Sequence, residues 1–170
     1  MDFLAFLRSR DFPIDLYGSG IHYIEDKWDG LAPYHYSLAI ENSNSPDYWT
    51  EKVADCFLSW TVPIYYGCTN LEDYFPAEAF IRINIKQPET VLETIAATLA
   101  SDNWAARLLA LAEARRRVLR CHQFFPHMQN LIERHYKNLP KENLVLKPYR
   151  ARNVFLRKMR RRLPLFIGKE

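Results

Sequence analysis

The sequence of 170 residues is poor in cysteine and glycine, with three of the former and five of the latter. Cys56, Cys68 and Cys121 are odd in number and share no metal-ligand or redox spacing. A disulfide framework of the kind that stabilises small secreted domains is therefore not predicted. We expect free thiols and a reducing compartment.

The sequence also lacks any run of 18 or more apolar residues, and no basic segment followed by an apolar one stands at its start. Neither a membrane span nor a signal peptide is predicted, so the expected location is the cytoplasm. The five histidines are scattered without the spacing of a metal site, and no nucleophile-elbow or Walker motif occurs. Hydrolase, nucleotide triphosphatase and metal chemistry thus have no support.

The formal charge of +3 is divided unevenly along the chain. Residues 141–170 contain ten lysines or arginines and two glutamates, a net charge of +8. The first 140 residues contain 13 basic and 18 acidic residues, a net charge of −5. We predict one folded domain over residues 1–140, ending at Asn138-Leu139-Pro140, and a basic amphipathic tail over residues 141–170.

Within the predicted domain, short apolar runs alternate with helical patterns. Strands are predicted over residues 14–17, 36–40, 62–66 and 80–85, the last near a sheet edge, and helices over residues 2–9, 51–60, 90–100, from Ser101 onward and 128–136. Thr90 and Glu93 have the spacing of a capping box, Ser101 is expected to cap the helix that follows, and Pro126 is expected to interrupt the chain. This alternation predicts an α/β fold with a parallel sheet covered by helices on both faces.

The polar chemistry is concentrated between Tyr36 and Lys52. A strand there is followed by a turn-rich loop, and Thr50 is placed to cap the helix that begins at Glu51. A loop between a parallel strand and a helix N-terminus is where open α/β sheets bind nucleotides, because free backbone N–H groups and the helix dipole favour phosphate. Lys52 in the first helical turn is disfavoured by that dipole, which an anionic ligand would explain.

Five residues of this segment are candidates for binding a nucleotide. Lys52 is suited to a diphosphate, and Glu51 to the two ribose hydroxyls, although Glu51 could simply stabilise the helix dipole. Glu41 ends a buried strand, so its charge must be hydrogen-bonded or functional. Asn42 and Ser43 either contact the ligand or satisfy backbone groups of the loop.

Gly18-Ser19-Gly20 follows the predicted strand at residues 14–17. Two glycines after a strand suit a plain turn, and they also suit a phosphate cradle. The sequence leaves both interpretations open.

Three ordered segments resemble the donor-binding core of the α-1,3/4-fucosyltransferases, glycosyltransferase family 10. The family pattern is Phe-Glu-Asn-Ser, a variable gap, Asp/Gly-Tyr-Val-Thr-Glu-Lys, about ten residues, then Val/Ile-Pro-Ile/Val and a Gly. Here the matching segments are Glu41-Asn42-Ser43, Asp47-Tyr48-Trp49-Thr50-Glu51-Lys52 and Val62-Pro63-Ile64-Tyr65-Tyr66-Gly67. Ile40 stands where the family usually has Phe, and Trp49 where it usually has Val.

The resemblance covers about residues 3–136 and implies a Rossmann-like domain, the C-terminal half of a GT-B architecture. It implies GDP-fucose as the donor substrate of an inverting transfer to a glycan, with no cofactor required. The donor-binding residues would be Glu41, Asn42, Ser43, Tyr48, Glu51 and Lys52, with Tyr48 assigned from the resemblance alone. The family's catalytic base has no counterpart in this sequence, so weak or absent transfer by the chain alone is expected.

The alternative is a non-catalytic protein, either one that binds a nucleotide sugar or a peripheral membrane or interaction protein. Residues 150–166 place Arg and Lys beside Phe and Leu, a pattern that fits peripheral binding to an anionic membrane surface, as well as a solvated charged tail. Nucleic acid is not expected, because base-stacking aromatics are not interleaved with the arginines. An apolar face left by an absent partner domain would favour a homodimer.

Overall fold

The computed structural model describes residues 3–18 and 20–137. The chain divides into two compact units, residues 1–134 and 135–170, and only residues 135–137 of the second unit are among those described. The predicted domain boundary at residue 140 and the basic tail over residues 141–170 lie outside the described residues. Both remain predictions.

The sheet contains three parallel strands in the order β1-β2-β3. They are β1 (Tyr36–Ile40), β2 (Val62–Tyr66) and β3 (Ile81–Arg82). Tyr36 lies opposite Val62 at the start of the first pairing, and Ile64 lies opposite Ile81 in the second. The four residues from Val62 to Tyr65 are buried, as expected for the central strand of a parallel sheet. The predicted parallel α/β fold is confirmed.

Five α-helices accompany the sheet in the described part of the chain. They are α1 (Phe3–Ser9), α2 (Glu51–Leu58), α3 (Pro88–Ser101), α4 (Leu108–Arg117) and α5 (Phe124–His135). Short 3-10 turns occur at Lys27–Gly30, Leu71–Asp73, Ala77–Ala79 and Ala105–Arg107, and a π-helical segment over Val118–His122 follows α4.

Helices cover both faces of the sheet and form two apolar clusters. On one face, Phe57 of α2 and Leu111 of α4 pack with Tyr65 of β2. On the other face, Leu7 of α1 and Ile95 of α3 pack in a cluster that includes Ile64, which points the opposite way from Tyr65. The carboxyl ends of the strands therefore meet at one edge between these layers, where α2 also begins.

Two predictions are wrong: the strand over residues 14–17 and the capping box at Thr90. Residues 14–17 belong to none of the three strands, and this short segment lies between a turn at Asp11, with a φ of 48°, and Gly18. The capping box at Thr90 does not form, because Pro88 begins α3 two residues earlier, where its fixed φ suits the first helical position.

Two predicted helix boundaries are also wrong. Ser101 does not cap a new helix but ends α3, where its hydroxyl donates to the Thr98 carbonyl at 3.0 Å and Asp102 adopts the left-handed conformation. Pro126 does not interrupt the chain, because it lies in the first turn of α5, where its missing N–H has no helical partner to lose.

The three cysteines are free, as predicted, with Cys56 and Cys68 buried and Cys121 partly exposed. Among residues 3–18 and 20–137, no helix is both long and apolar enough to cross a bilayer. In the same part of the chain, no group of three or more His, Cys, Asp or Glu side chains is arranged to hold a metal ion.

Gly67, directly after β2, has a φ of +155°, and an added Cβ would lie 2.6 Å from both Glu41 Cβ and Tyr65 Oη. We expect Gly67→Ala to lower the free energy of unfolding by about 2–4 kcal/mol, from overpacking and backbone strain together. Urea unfolding followed by circular dichroism measures this.

Gly18→Ala is the matched control, because Gly18 has a similar φ of +145° and no atom within 4 Å of the added Cβ. We expect it to cost about 1 kcal/mol, the backbone contribution alone. Equal losses in the two variants would show that the close approach to Glu41 does not constrain residue 67.

Candidate active site at the N-terminus of α2

The N-terminus of α2 is capped by Thr50, as the sequence predicts. Thr50 has an extended backbone, and its Oγ1 accepts the Lys52 N–H at 3.4 Å. This satisfies one of the backbone donors that the first turn of a helix leaves free. The helix therefore presents its positive end at the carboxyl edge of the sheet.

Glu41 follows β1 and places its carboxylate against this helix start. Its Oε1 accepts the Thr50 backbone N–H at 2.9 Å, and its Oε2 accepts the Thr50 hydroxyl at 2.7 Å. The Lys52 ammonium lies 3.4 Å from the same Oε2. The Glu41 side chain is 0% exposed, whereas 33% of the Lys52 side chain is exposed. Of the two alternatives left open for Glu41, hydrogen-bonded or functional, the structure shows the hydrogen bonds.

This ion pair changes the explanation of Lys52. The sequence suggested that an external anion offsets the unfavourable position of a lysine at a helix N-terminus. In the structure, the buried Glu41 carboxylate already supplies that negative charge. The Glu41 side chain has no exposed surface, and the donor contact that the resemblance implies for it stays a prediction.

The loop between β1 and α2 is attached to the segment that follows β2. Asn44 Nδ2 donates to the Gly67 carbonyl at 2.9 Å. Asp47, whose φ is 61°, donates its backbone N–H to Asn70 Oδ1 at 2.8 Å. Its carboxylate accepts from Asn70 Nδ2 at 2.8 Å and from the Tyr74 hydroxyl at 2.7 Å. These contacts attach the middle of the loop to the residues that follow β2.

Sequence reasoning missed Asn44 and Asn70 because both partners of each contact are far apart along the chain. The only signal was composition, since asparagine is common where side chains satisfy loop backbone groups. Asn70 also donates to Asp73 at 2.9 Å, so one amide joins two acidic side chains.

The carboxylate of Asp47 and the phenol of Tyr74 influence each other's protonation. Hydrogen bonds from Asn70 and then Tyr74 hold the pKa of Asp47 below its ordinary value. The hydrogen bond to Asp47 raises the pKa of Tyr74 to about 12. Both shifts favour the state in which a protonated phenol donates to an ionised carboxylate.

The remaining predicted donor-binding residues are exposed. Asn42, Ser43 and Tyr48 lie on the loop between β1 and α2, and Ser43 Oγ lies 3.4 Å from Ser45 Oγ. Glu51 begins α2, and the hydrogen bond from its own backbone N–H, followed by the charge of Lys52, lowers its pKa. Glu51 therefore stays ionised at neutral pH. The contact of these four exposed residues with a donor remains a prediction.

Beside Glu51 lies a groove of about 320 Å³ whose wall includes Trp49, Asp55 and His122. Trp49 packs edge-on against Phe75 and His122, each with ring centroids 5.1 Å away. An indole, the departure from the family pattern at this position, is therefore accommodated by neighbouring aromatic rings. Burial lowers the pKa of His122, so this imidazole is neutral at pH 7.

A parallel α/β sheet with a capped helix N-terminus and a lysine at its carboxyl edge has the features of a domain that binds a phosphate-bearing ligand. The chain belongs to glycosyltransferase family 10, the fucosyltransferases, because the model of the C-terminal part of that family matches residues 1–106.

Two relatives illustrate the range of the family. GDP-fucose protein O-fucosyltransferase 3 of Danio rerio is 31% identical over 99 residues, which are 58% of this chain and 22% of that protein. The 4-galactosyl-N-acetylglucosaminide 3-alpha-L-fucosyltransferase 9 of Homo sapiens is 35% identical over 80 residues, 44% of this chain and 22% of that protein. The chain thus spans about a fifth of the length of these curated relatives.

A crystal structure of an alpha1,3-fucosyltransferase with GDP-fucose is also similar. It aligns with a TM-score of 0.49 at 22% sequence identity, over 62% of this chain and 33% of that one.

We expect Asp47→Asn to lower the pKa of Tyr74 from about 12 toward its ordinary value of 10.0, because an uncharged amide no longer stabilises the phenol proton. Asparagine tolerates the left-handed backbone at residue 47, so the loop geometry is kept. NMR titration of tyrosine ring carbons measures the shift. Asp73→Asn is the control: it removes the same charge but leaves the hydrogen bond, so the pKa of Tyr74 stays near 12.

The two shifts also fix the pH dependence of this contact. The raised pKa of Tyr74 gives a stabilising contribution below pH 10 that is lost as the pH rises toward 12. The lowered pKa of Asp47 gives a contribution above its ordinary value of 3.8 that is lost as the pH falls below it. An unchanged pKa of Tyr74 in Asp47→Asn would contradict this account.

Proposed function

We propose that the chain is the donor-binding part of an inverting fucosyltransferase that transfers fucose from GDP-fucose to a glycan hydroxyl. One observation carries this proposal: the capped N-terminus of α2 and the partly exposed Lys52 meet at the carboxyl edge of a parallel sheet in a fucosyltransferase-family chain. The name of the Danio rerio relative, a GDP-fucose protein O-fucosyltransferase, supports the choice of donor.

In this proposal the first turn of α2 binds the diphosphate. The Lys52 ammonium and the positive end of the α2 dipole meet its negative charge, and the ionised Glu51 accepts hydrogen bonds from the ribose hydroxyls. The exposed side chains of Asn42, Ser43 and Tyr48, on the loop that leads into α2, complete the donor contacts.

The reaction inverts the configuration at the fucose C1 carbon. A carboxylate base takes the proton of the acceptor hydroxyl, the hydroxyl oxygen bonds to C1, and the bond from C1 to the diphosphate oxygen breaks as GDP leaves. Lys52 and the helix N-terminus stabilise the charge that develops on the diphosphate. The base and the acceptor site belong to the other half of the GT-B architecture, so we propose that residues 1–170 alone transfer weakly or not at all.

The acceptor is proposed to be a glycan that contains N-acetylglucosamine, in a lipopolysaccharide or glycoconjugate. The name of the Homo sapiens relative, a galactosyl-N-acetylglucosaminide fucosyltransferase, supports this class. The name of the Danio rerio relative specifies a protein acceptor instead. A test of transfer therefore includes both kinds of acceptor.

A second candidate function is peripheral binding to an anionic membrane surface at the cytoplasmic face, without catalysis. It is favoured by α5, an amphipathic helix in which no residue is buried and Phe124, Phe125 and Ile132 are more than half exposed. The net charge of +8 over residues 141–170 would complement anionic lipids. Binding to anionic liposomes that is lost on deletion of residues 141–170, without any GDP binding, would favour this candidate.

The donor-binding proposal is tested by calorimetric titration of the chain with GDP and with UDP. We expect selective binding of GDP that is roughly 10- to 100-fold weaker in Lys52→Met, because one charge-assisted contact of about 1.5–3 kcal/mol is lost. Thermal unfolding of the variant, recorded in parallel, reports whether it is folded.

Lys27→Met is the matched control for this titration. Lys27 also pairs with a carboxylate of this region, that of Asp55 at 2.9 Å, one helical turn after Glu51. Its loss changes the net charge equally and should leave GDP affinity within about twofold. Equal weakening by both substitutions, or no GDP binding by a folded wild-type chain, would count against the proposal.

A further inference from the structure

The most buried charged group of the site cannot reach a ligand at the edge of the sheet. The Glu41 side chain is 0% exposed, whereas the Lys52 side chain above it is 33% exposed. A ligand that approaches the start of α2 therefore meets Lys52 first. Any influence of Glu41 on that ligand has to pass through Lys52 or through the helix start.

We propose that Glu41 is a positioning residue of the donor site: its buried carboxylate holds the Lys52 ammonium at the N-terminus of α2 without touching the donor. This inference rests on the proposed function, because it assigns the diphosphate to Lys52. It replaces the direct donor contact that the resemblance implied for Glu41.

The geometry of the carboxylate fits this role. Thr50 fixes both oxygens, through its backbone N–H at 2.9 Å to Oε1 and its hydroxyl at 2.7 Å to Oε2. The Lys52 ammonium lies 3.4 Å from Oε2, at the long end of hydrogen-bonding distance. An ammonium has three N–H donors, so this single contact leaves two for phosphate oxygens.

Two features make the contact between the Glu41 carboxylate and the Lys52 ammonium useful at this position. A lysine has a flexible four-carbon stem, and ordering it before the donor arrives removes an entropic cost from binding. In addition, the positive end of the helix dipole repels the ammonium, so without a carboxylate the side chain would turn toward solvent. Glu41 opposes both effects.

The end of β2 keeps the carboxylate from withdrawing. Gly67 packs so closely that a Cβ on it would lie 2.6 Å from Glu41 Cβ. Glu41 itself is joined to β2, because its backbone N–H donates to the Tyr66 carbonyl at 2.8 Å. The position of Lys52 is therefore set by the ends of two neighbouring strands.

Three roles of Glu41 make different predictions for Glu41→Gln. If Glu41 only repels the diphosphate as a neighbouring negative charge, its neutralisation tightens GDP binding. If it only stabilises the start of α2, its neutralisation weakens GDP binding by the same factor whatever residue occupies position 52. If it positions Lys52, its neutralisation weakens GDP binding only when the lysine is present.

A double-mutant cycle on the full chain distinguishes these roles. GDP affinity is measured by calorimetry for wild type, Glu41→Gln, Lys52→Met and the double variant. We expect Glu41→Gln to weaken binding about 3- to 10-fold with lysine at position 52 and less than twofold with methionine there. Tighter binding in Glu41→Gln, or an equal loss in both backgrounds, would overturn the proposal.

Glu41→Asp provides a second variant in case Glu41→Gln does not fold. It keeps the negative charge but withdraws the carboxylate by one methylene, so the contact with Lys52 is lost. We expect the same 3- to 10-fold weakening with lysine at position 52. Wild-type affinity in a folded Glu41→Asp chain would show that the charge matters and the position does not.

A measurement without ligand separates this proposal from the proposed function. NMR of side-chain ammonium groups in the GDP-free chain should show a slowly exchanging Lys52 signal that is lost in Glu41→Gln and kept in Asp55→Asn, which releases Lys27 instead. If wild type binds no GDP but this pattern holds, the proposed function fails and the positioning of Lys52 by Glu41 is supported. If Lys52 gives no such signal in wild type, the proposal that Glu41 positions Lys52 is overturned.

Discussion

The buried carboxylate of Glu41 is the interaction on which the candidate site depends. It joins the end of β1 to the cap of α2 through Thr50 and holds the partly exposed Lys52 above them. Removing one partner from such a pair leaves a charge without compensation, which costs more than the pair itself contributes. The start of the helix, the loop before it and the direction of Lys52 are consequently coupled.

The parts of this arrangement that were predictable from the sequence are those that local patterns determine. The apolar runs at Tyr36–Ile40 and Val62–Tyr66 are long enough to specify strands, and Thr50 is a standard cap before an amphipathic helix. The cost of burying a carboxylate also required Glu41 to be either hydrogen-bonded or functional, and the structure shows the hydrogen bonds. Spacing alone placed Lys52 at the helix N-terminus.

The parts that were not predictable depend on contacts between distant residues or on competition between local signals. The partner of Lys52 lies eleven residues away along the chain, and Asn70 meets Asp47 across 23 residues. The predicted start of α3 was wrong because a proline at the first helical position outweighed a capping pattern at Thr90. A short apolar run such as residues 14–17 becomes a strand only when a neighbouring strand supplies hydrogen bonds. The local pattern of the run does not show whether such a strand lies beside it.

A crystal structure of the chain with bound GDP tests the central claim most directly. The account predicts a diphosphate oxygen about 3 Å from Lys52 Nζ, beside the start of α2, with the Lys52 ammonium still on the Glu41 carboxylate. A diphosphate bound away from the start of α2, or a Lys52 side chain that leaves Glu41 to reach it, would contradict the account.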